Sequence, residues 1–127
     1  FIPFEYPEIN TGISSKTLDV IREGMNLVVN GAGTATHIRL PNIEVAGKTG
    51  TAQNPHGKDH ALFVGFAPYE NPEIAIAVFV QNVGFGGTHA APIAKKMFET
   101  YFSKERNSEK ILKEKKQPIV LRASLEN

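Results

Sequence analysis

The feature that most constrains this chain is a series of three strand-like runs joined by short polar links. The runs are Ile43–Asn54, Ala61–Pro68 and Glu73–Asn82. Consecutive strands separated by links this short usually pair as antiparallel neighbours. The second run is apolar almost throughout, which is typical of a central strand covered on both faces. The sequence therefore predicts a three-stranded antiparallel sheet with the second run in the middle.

Strand side chains alternate between the two faces of a sheet, and the third run has two different faces. One face is branched and the other mostly small: Ile74, Ile76, Val78 and Val80 against Ala75, Ala77, Phe79 and Gln81. The small face would admit a closely packed helix, whereas the branched face needs another apolar cover. We therefore expect a helix to pack on the small face.

Two amphipathic helices flank the predicted sheet. The first is capped by Ser14 or Ser15 and ends at an Asn-Gly stop, and the second begins at Thr88 or His89. Pro92 fits the first turn of the second helix. Their apolar residues recur at helical spacing: Leu18, Ile21, Met25, Val28 and Val29, then Ile93, Met97, Phe98, Tyr101 and Phe102. For the second helix, this apolar face predicts core packing against the sheet rather than a cofactor site.

Together these elements predict the α+β fold class, a three-stranded antiparallel sheet flanked by an N-terminal and a C-terminal helix. The predicted domain spans residues 1–102. Residues 103–127 are rich in Lys and Glu and contain a proline, which predicts a charged C-terminal tail rather than a binding element.

Composition excludes several functional classes. The chain has 127 residues and a formal net charge of +1, so nothing indicates nucleic acid as a partner. The absence of cysteine excludes disulfides and thiolate zinc sites. The chain contains no apolar stretch of membrane-spanning length and no signal peptide, and it starts without methionine. We therefore expect a fragment whose membrane anchor lies elsewhere in the protein.

Two loops contain residues that could bind a ligand, but the neighbouring residues disfavour such a site. Asn30–Ala35 contains two glycines but lacks the spacing of a phosphate-binding loop and follows a helix, so it is interpreted as a turn. His56, Asp59 and His60 could suggest a metal. The proline and glycine beside His56 disfavour the helix that would bring both imidazoles to one face. We predict no metal or cofactor, and His60 could still line a cleft and hydrogen-bond a ligand or Asp59.

The first strand carries residues suited to binding an anion. Lys48 supplies a fixed positive charge, and the hydroxyls of Thr49 and Thr51 can bind a carboxylate. Gly50 has no Cβ, so a ligand can lie close to the backbone there. The N–H of the following residue can then point at a developing oxyanion.

The surroundings of this Lys-Thr-Gly triplet make it specific. It extends to Gly47–Gln53, two apolar runs and a helix follow it, and the preceding helix contains Glu23–Met25 and Val28–Asn30. This pattern closely resembles the C-terminal part of the transpeptidase domain of class B penicillin-binding proteins, especially the cell-elongation type. The resemblance extends from about Thr11 to Phe102 and implies a fragment of the serine transpeptidase or β-lactamase-like fold.

The resemblance implies that the intact protein is a serine D,D-transpeptidase. Such an enzyme cross-links peptidoglycan stem peptides through an acyl-enzyme and is acylated by β-lactams. Lys48 would be catalytic by keeping the site electropositive, and Thr51 through its N–H in the oxyanion hole. The implied substrate-binding residues are Thr49, Gly50, Thr51 and Gln53. The backbone of Gln53 would pair with the substrate as an added strand.

The chain departs from the family pattern because the nucleophile is missing. None of Ser14–Lys16, Ser103–Lys104 and Ser108–Lys110 has the Ser-x-x-Lys spacing, and no Ser-x-Asn precedes the triplet. The fragment alone should therefore neither acylate nor turn over. Because the family's sheet includes strands from preceding segments, we expect uncovered apolar surface here. The missing N-terminal part of the protein or a second copy of the chain would cover it.

By resemblance, the expected partners are stem peptides, β-lactam antibiotics, a membrane glycosyltransferase and a rod-shape scaffold. The intact protein would lie in the bacterial inner membrane with its catalytic domain in the periplasm. Alternatives of a different kind are a β-lactam-sensing module and a cell-wall-binding module without turnover. A β-lactamase is disfavoured because Thr51–Gln53 and the helix before the strand resemble a transpeptidase.

Overall fold

The computed structural model describes residues 10–116, and the side chains of residues 10–104. The elements in chain order are α1 (Ser15–Asn30), a 3-10 turn (Thr36–Ile38), β1 (Ala46–Ala52), β2 (His60–Ala67), β3 (Ile74–Val80) and α2 (Gly86–Lys116). Two helices therefore flank three strands in the sequence, and the predicted α+β class is confirmed.

The strands form one antiparallel sheet in the order β1-β2-β3, so β2 is central as predicted. Thr49 of β1 lies opposite Phe63 of β2. Strand β1 begins at Ala46, later than the predicted start at Ile43, because Ile43 forms an isolated antiparallel bridge with Leu40. The segment before β1 is therefore a local turn and not a continuation of the strand.

The core lies between the sheet and α2. Phe63 of β2 and Phe98 of α2 are fully buried in it. Three alanines of α2 are also fully buried: Ala90, Ala91 and Ala94. The prediction that a helix packs on the small-residue face of β3 is wrong, since Ile76 is buried in this core while Ala75 and Ala77 are exposed. The small side chains that allow close packing come from the helix and not from the strand.

The opposite face of the sheet is only partly covered. Arg22 of α1 reaches it, with its guanidinium 5.6 Å from the Phe66 ring centroid and Nη2 donating to the Tyr69 carbonyl at 2.7 Å. Val64 and Phe79 are 46% and 55% exposed. The prediction that β2 is covered on both faces is therefore wrong within the described residues. The exposed apolar surface that we expected is present.

Helix α1 has the predicted bounds but a mostly uncovered apolar face. Ser14 caps it, with Oγ accepting a hydrogen bond from the Thr17 N–H at 3.2 Å. Leu18 and Ile21 are 42% and 50% exposed, whereas Val29 is fully buried. Only the C-terminal end of the helix is therefore packed into the core, at the side of β1.

Helix α2 differs from the prediction at both ends. It begins at Gly86 rather than at Thr88 or His89, so Pro92 lies inside the helix and not in its first turn. It also continues past residue 102 to Lys116. Within the part of the chain that the structure describes, neither helix combines the length and apolar content needed to cross a membrane.

Candidate active site

The candidate site lies along β1, whose beginning is anchored in the core. Val45 and Ala46 are 1% and 0% exposed. Gly47 is also buried, and a Cβ there would lie 2.8 Å from Phe63 Cε2, so a larger residue would displace the ring. Lys48, by contrast, is exposed. The exposed part of β1 therefore follows a tightly packed segment, which favours a fixed geometry of the strand.

In the described sheet β1 is an edge strand, and its register indicates which backbone groups point outward. The Ala46 carbonyl points toward β2, since it lies 2.7 Å from where a Cβ on Gly65 would be. Inward and outward groups alternate along an antiparallel strand, so the backbone groups of Thr49 and Thr51 point outward. In agreement, the Thr49 carbonyl accepts a hydrogen bond from Lys48 Nζ at 2.5 Å. The free edge thus offers donors and acceptors to a ligand.

The side chains of Thr49 and Thr51 face a cleft between β1, the 3-10 turn and the start of α2. Its volume is about 620 Å³, and it is lined by Thr34, His37, Thr49, Thr51, Phe85, Gly87, Thr88 and Pro92. Lys48 lies on the other face of β1 by strand alternation. Lys48, Gly50 and the exposed Gln53 are not among the lining residues. The structure therefore groups two of the predicted site residues and leaves the other three around the strand.

Each of the two threonine hydroxyls has a partner in the cleft wall. Thr49 Oγ1 lies 2.7 Å from Thr34 Oγ1, and either atom could be the donor. Thr51 Oγ1 accepts a hydrogen bond from the Gly86 N–H at 3.4 Å. Because an N–H can only donate, the Thr51 hydroxyl proton stays available for an acceptor such as a carboxylate.

The first turn of α2 lies directly on β1. A Cβ on Gly86 would overlap the backbone of Gly50 and Leu62, so only glycine allows this approach. The helix start therefore lies beside Thr51, and it carries the positive end of the helix dipole. Phe85, just before the helix, lines the cleft and is 70% exposed. The polar side of this cleft favours an anion.

A hydrogen-bond network joins the β1–β2 loop to the segment before α2. Asn54 Nδ2 donates to Asn82 Oδ1 at 2.6 Å, and the Asn82 N–H donates to His60 Nδ1 at 3.1 Å. The Asp59 carboxylate accepts from the Asn54 N–H at 3.2 Å, and its carbonyl accepts from the Gly84 N–H at 2.9 Å. His60 therefore stabilises the loop and does not line the cleft, although the sequence had suggested that it could. No cluster of three potential metal ligands occurs among the described residues.

Sequence reasoning missed Thr34 and His37 in the cleft wall. The predicted turn within Asn30–Ala35 is present. It also brings Thr34 into contact with Thr49, 15 positions further along the chain. No spacing rule links the two residues, because the contact depends on how the end of α1 packs beside β1. The pair of glycines around Ala32 was the only local signal that the backbone packs closely here.

Comparison with known proteins shows the family to which the chain is similar. The family model described as penicillin binding protein transpeptidase domain matches residues 7–99. The chain is 37% identical over 118 residues to peptidoglycan D,D-transpeptidase MrdA of Haemophilus influenzae, covering 80% of this chain and 18% of that protein. It is 42% identical over 114 residues to MrdA of Acinetobacter baumannii, covering 78% and 15%.

Solved structures show the same similarity. Pseudomonas aeruginosa PBP2 in complex with WCK 5153 is 46% identical with a TM-score of 0.59, covering 65% of this chain and 18% of that one. The penicillin G acyl-enzyme complex of penicillin-binding protein A from M. tuberculosis is 30% identical with a TM-score of 0.59, covering 71% and 21%. The chain thus spans less than a fifth of the length of the two curated relatives described.

Proposed function

The chain belongs to the penicillin-binding protein transpeptidase domain family, and on that premise we propose that it forms the carboxylate-binding edge of a peptidoglycan D,D-transpeptidase. The observation that carries the proposal is the cleft beside β1. Two threonine hydroxyls and the start of a helix line it, next to a strand edge with outward backbone groups. Such an edge can take up an extended peptide as an added strand, and the donors suit its anionic terminus.

Each site residue has a distinct role in this proposal. The hydroxyls of Thr49 and Thr51 bind the terminal carboxylate of the stem peptide, or the carboxylate of a β-lactam. The outward N–H of Thr51 contributes to the oxyanion hole, where one donor is typically worth about 10²–10³ in rate. Gly50 leaves room for the peptide, and Gln53 continues the backbone pairing. Lys48 keeps the site electropositive from the other face of the strand.

The nucleophile would come from a part of the protein outside this chain. A serine attacks the carbonyl between the two terminal D-alanines, the last D-alanine leaves with a proton on its nitrogen, and an acyl-enzyme remains. An amine from a neighbouring stem peptide then takes the acyl group and restores the serine. The tetrahedral intermediate of each step carries its negative oxygen toward the Thr51 N–H.

The proposal extends to the setting of the intact protein. Residues 1–102 would form part of the catalytic domain and residues 103–127 a charged tail. The relatives' role in peptidoglycan synthesis supports an inner-membrane protein with a periplasmic catalytic domain. A membrane glycosyltransferase and a rod-shape scaffold would be its partners, and the missing N-terminal part would cover the exposed apolar face of the sheet.

Acylation by fluorescent penicillin tests the proposal. The intact protein should be labelled and should release D-alanine from a stem pentapeptide, whereas this chain alone should do neither. A variant with valine at both Thr49 and Thr51 should label at least about tenfold more slowly, since two charge-assisted hydrogen bonds are lost. Labelling without D-alanine release would indicate a β-lactam sensor instead. No labelling of the intact protein would refute the proposal.

A further inference from the structure

We propose that Thr34 is a positioning residue that sets the direction of the hydrogen bond made by Thr49. The two hydroxyl oxygens are 2.7 Å apart, and one of them must donate to the other. The inference rests on the proposed function, in which Thr49 binds a carboxylate. It assigns a role to a turn that otherwise serves only as a connection.

The direction of this bond follows from the chemistry of the ligand. An ionised carboxylate only accepts hydrogen bonds, and each threonine hydroxyl has a single proton. If Thr49 donated to Thr34, it would have no proton for the carboxylate. Binding an anion at Thr49 therefore requires Thr34 to donate to Thr49 Oγ1. The Thr49 proton is then directed into the cleft.

The conformation of Thr49 is restricted on its other side as well. Its Cγ2 lies 3.8 Å from where a Cβ on Gly87 would be, so the methyl group faces the start of α2. The Thr34 carbonyl lies 3.0 Å from that same position. A β-branched side chain has few χ1 choices, and here the hydroxyl faces Thr34 while the methyl group faces α2. The hydroxyl is thus presented to Thr34 by packing.

Thr34 is in turn held by its neighbours. The Ala35 N–H donates to the Val28 carbonyl at 3.1 Å, and Ala35 is fully buried. A Cβ on Gly33 would lie 2.5 Å from the Val28 carbonyl oxygen, so the backbone also packs closely on α1 there. The Thr34 side chain itself is exposed. The backbone that carries this hydroxyl is therefore fixed, and the exposed side chain contributes little to the stability of the fold.

The same arrangement occurs at Thr51, which accepts from the Gly86 N–H. Both hydroxyls of β1 thus receive a hydrogen bond from the protein and keep their own protons for the ligand. Donors that are oriented before the ligand arrives require no reorganisation when it binds. Thr34 orients the hydroxyl of Thr49, and Gly86 orients that of Thr51.

The test is the second-order rate of acylation of the intact protein by penicillin G and by its methyl ester, which lacks the anionic carboxylate. Thr34→Val should slow acylation by penicillin G about 3- to 10-fold, the range of one oriented hydrogen bond. Acylation by the ester should change less than about twofold. Thr34→Ser should restore the rate for penicillin G, since it retains the hydroxyl.

A double-mutant cycle separates positioning from a merely structural role. In a Thr49→Val background, Thr34→Val should cost nothing further, because the hydroxyl that it orients is gone. Thr100→Val is the matched control. It removes an exposed hydroxyl about 18 Å along α2 from Thr88, since a helix rises about 1.5 Å per residue. It should leave both rates unchanged.

Two kinds of result would overturn the inference. One is an unchanged rate of acylation by penicillin G in Thr34→Val, and the other is equal slowing of penicillin G and its ester. Thermal unfolding checks that each variant is folded, and Thr34→Ala replaces the valine variant in the same cycle if that one is not. Absence of acylation in the wild-type protein would instead refute the proposed function, and this inference with it.

Discussion

Replacing Gly86 with alanine should separate the start of α2 from β1. A Cβ at this position would overlap backbone atoms of Gly50 and Leu62, and two paired strands cannot move aside as a flexible side chain can. The φ angle of Gly86 lies outside the left-handed region, so the cost arises from contact and not from backbone conformation. The helix start must therefore shift away from the sheet.

The size of the effect follows from that contact. Forcing an extra carbon into a closely packed site typically costs about 1–3 kcal/mol. The matched control is Gly24→Ala in α1, where the new Cβ would meet no atom within 4 Å beyond its chain neighbours and the backbone of its own helix. Alanine in a helix interior is favoured over glycine by roughly 0.5–1 kcal/mol. The same chemical change should therefore destabilise the protein at Gly86 and stabilise it at Gly24.

Thermal unfolding of the intact protein measures this difference. One kcal/mol shifts the melting temperature by about 2–4 °C in a domain of 150–250 residues, so the two variants should differ by roughly 3–16 °C. Gly86→Ala should also slow acylation by penicillin, because the Gly86 N–H that bonds Thr51 moves with the helix. A Gly86→Ala protein as stable as wild type would refute the claim that glycine is required for this approach.

Two further pairs of substitutions test the core and the end of α1. Phe63→Ala should lower the free energy of unfolding by about 3–5 kcal/mol, because its ring is fully buried. Phe85→Ala should change it by less than about 1 kcal/mol, because that residue is 70% exposed. Equal losses in denaturant melts would contradict the assigned core. Arg39 donates from Nε to the Val29 carbonyl at 2.8 Å and from Nη2 to the Gly31 carbonyl at 2.5 Å. Arg39→Leu should therefore destabilise the protein by about 1–3 kcal/mol, and Arg39→Lys should recover only part of that, because one ammonium cannot reproduce the forked geometry. Full recovery with lysine would show that charge alone matters there.

Local patterns were enough to predict the elements and the reactive strand. The cap at Ser14, the alternation along β1 and the apolar run of β2 each depend on neighbours within a few residues. The family resemblance, which the comparisons confirm, rests on Lys48–Gln53 and on the helix and strands that flank it in the sequence. The roles assigned to individual residues in that stretch stay predictions until the acylation rates are measured.

The errors arose where contacts between distant segments decide the outcome. The sequence suggested a helix on the alanine face of β3, but α2 supplies its own alanines and packs on the face of Ile76. The start of β1 was placed too early because Ile43 pairs locally with Leu40. The expected start of α2 ignored Gly86, whose packing on the sheet is invisible in the sequence.

The sequence by itself determined the helices, the strand order and the presence of a Lys-Thr-Gly edge, because these follow from short-range periodicity and from residue chemistry. Only the tertiary structure decided that Thr34 meets Thr49 and that the Gly86 N–H meets Thr51. Such contacts join the turn after α1 and the start of α2 to one strand, across 15 and 35 positions. Their existence depends on how whole elements pack, and packing is a property of the assembled fold and not of any local stretch.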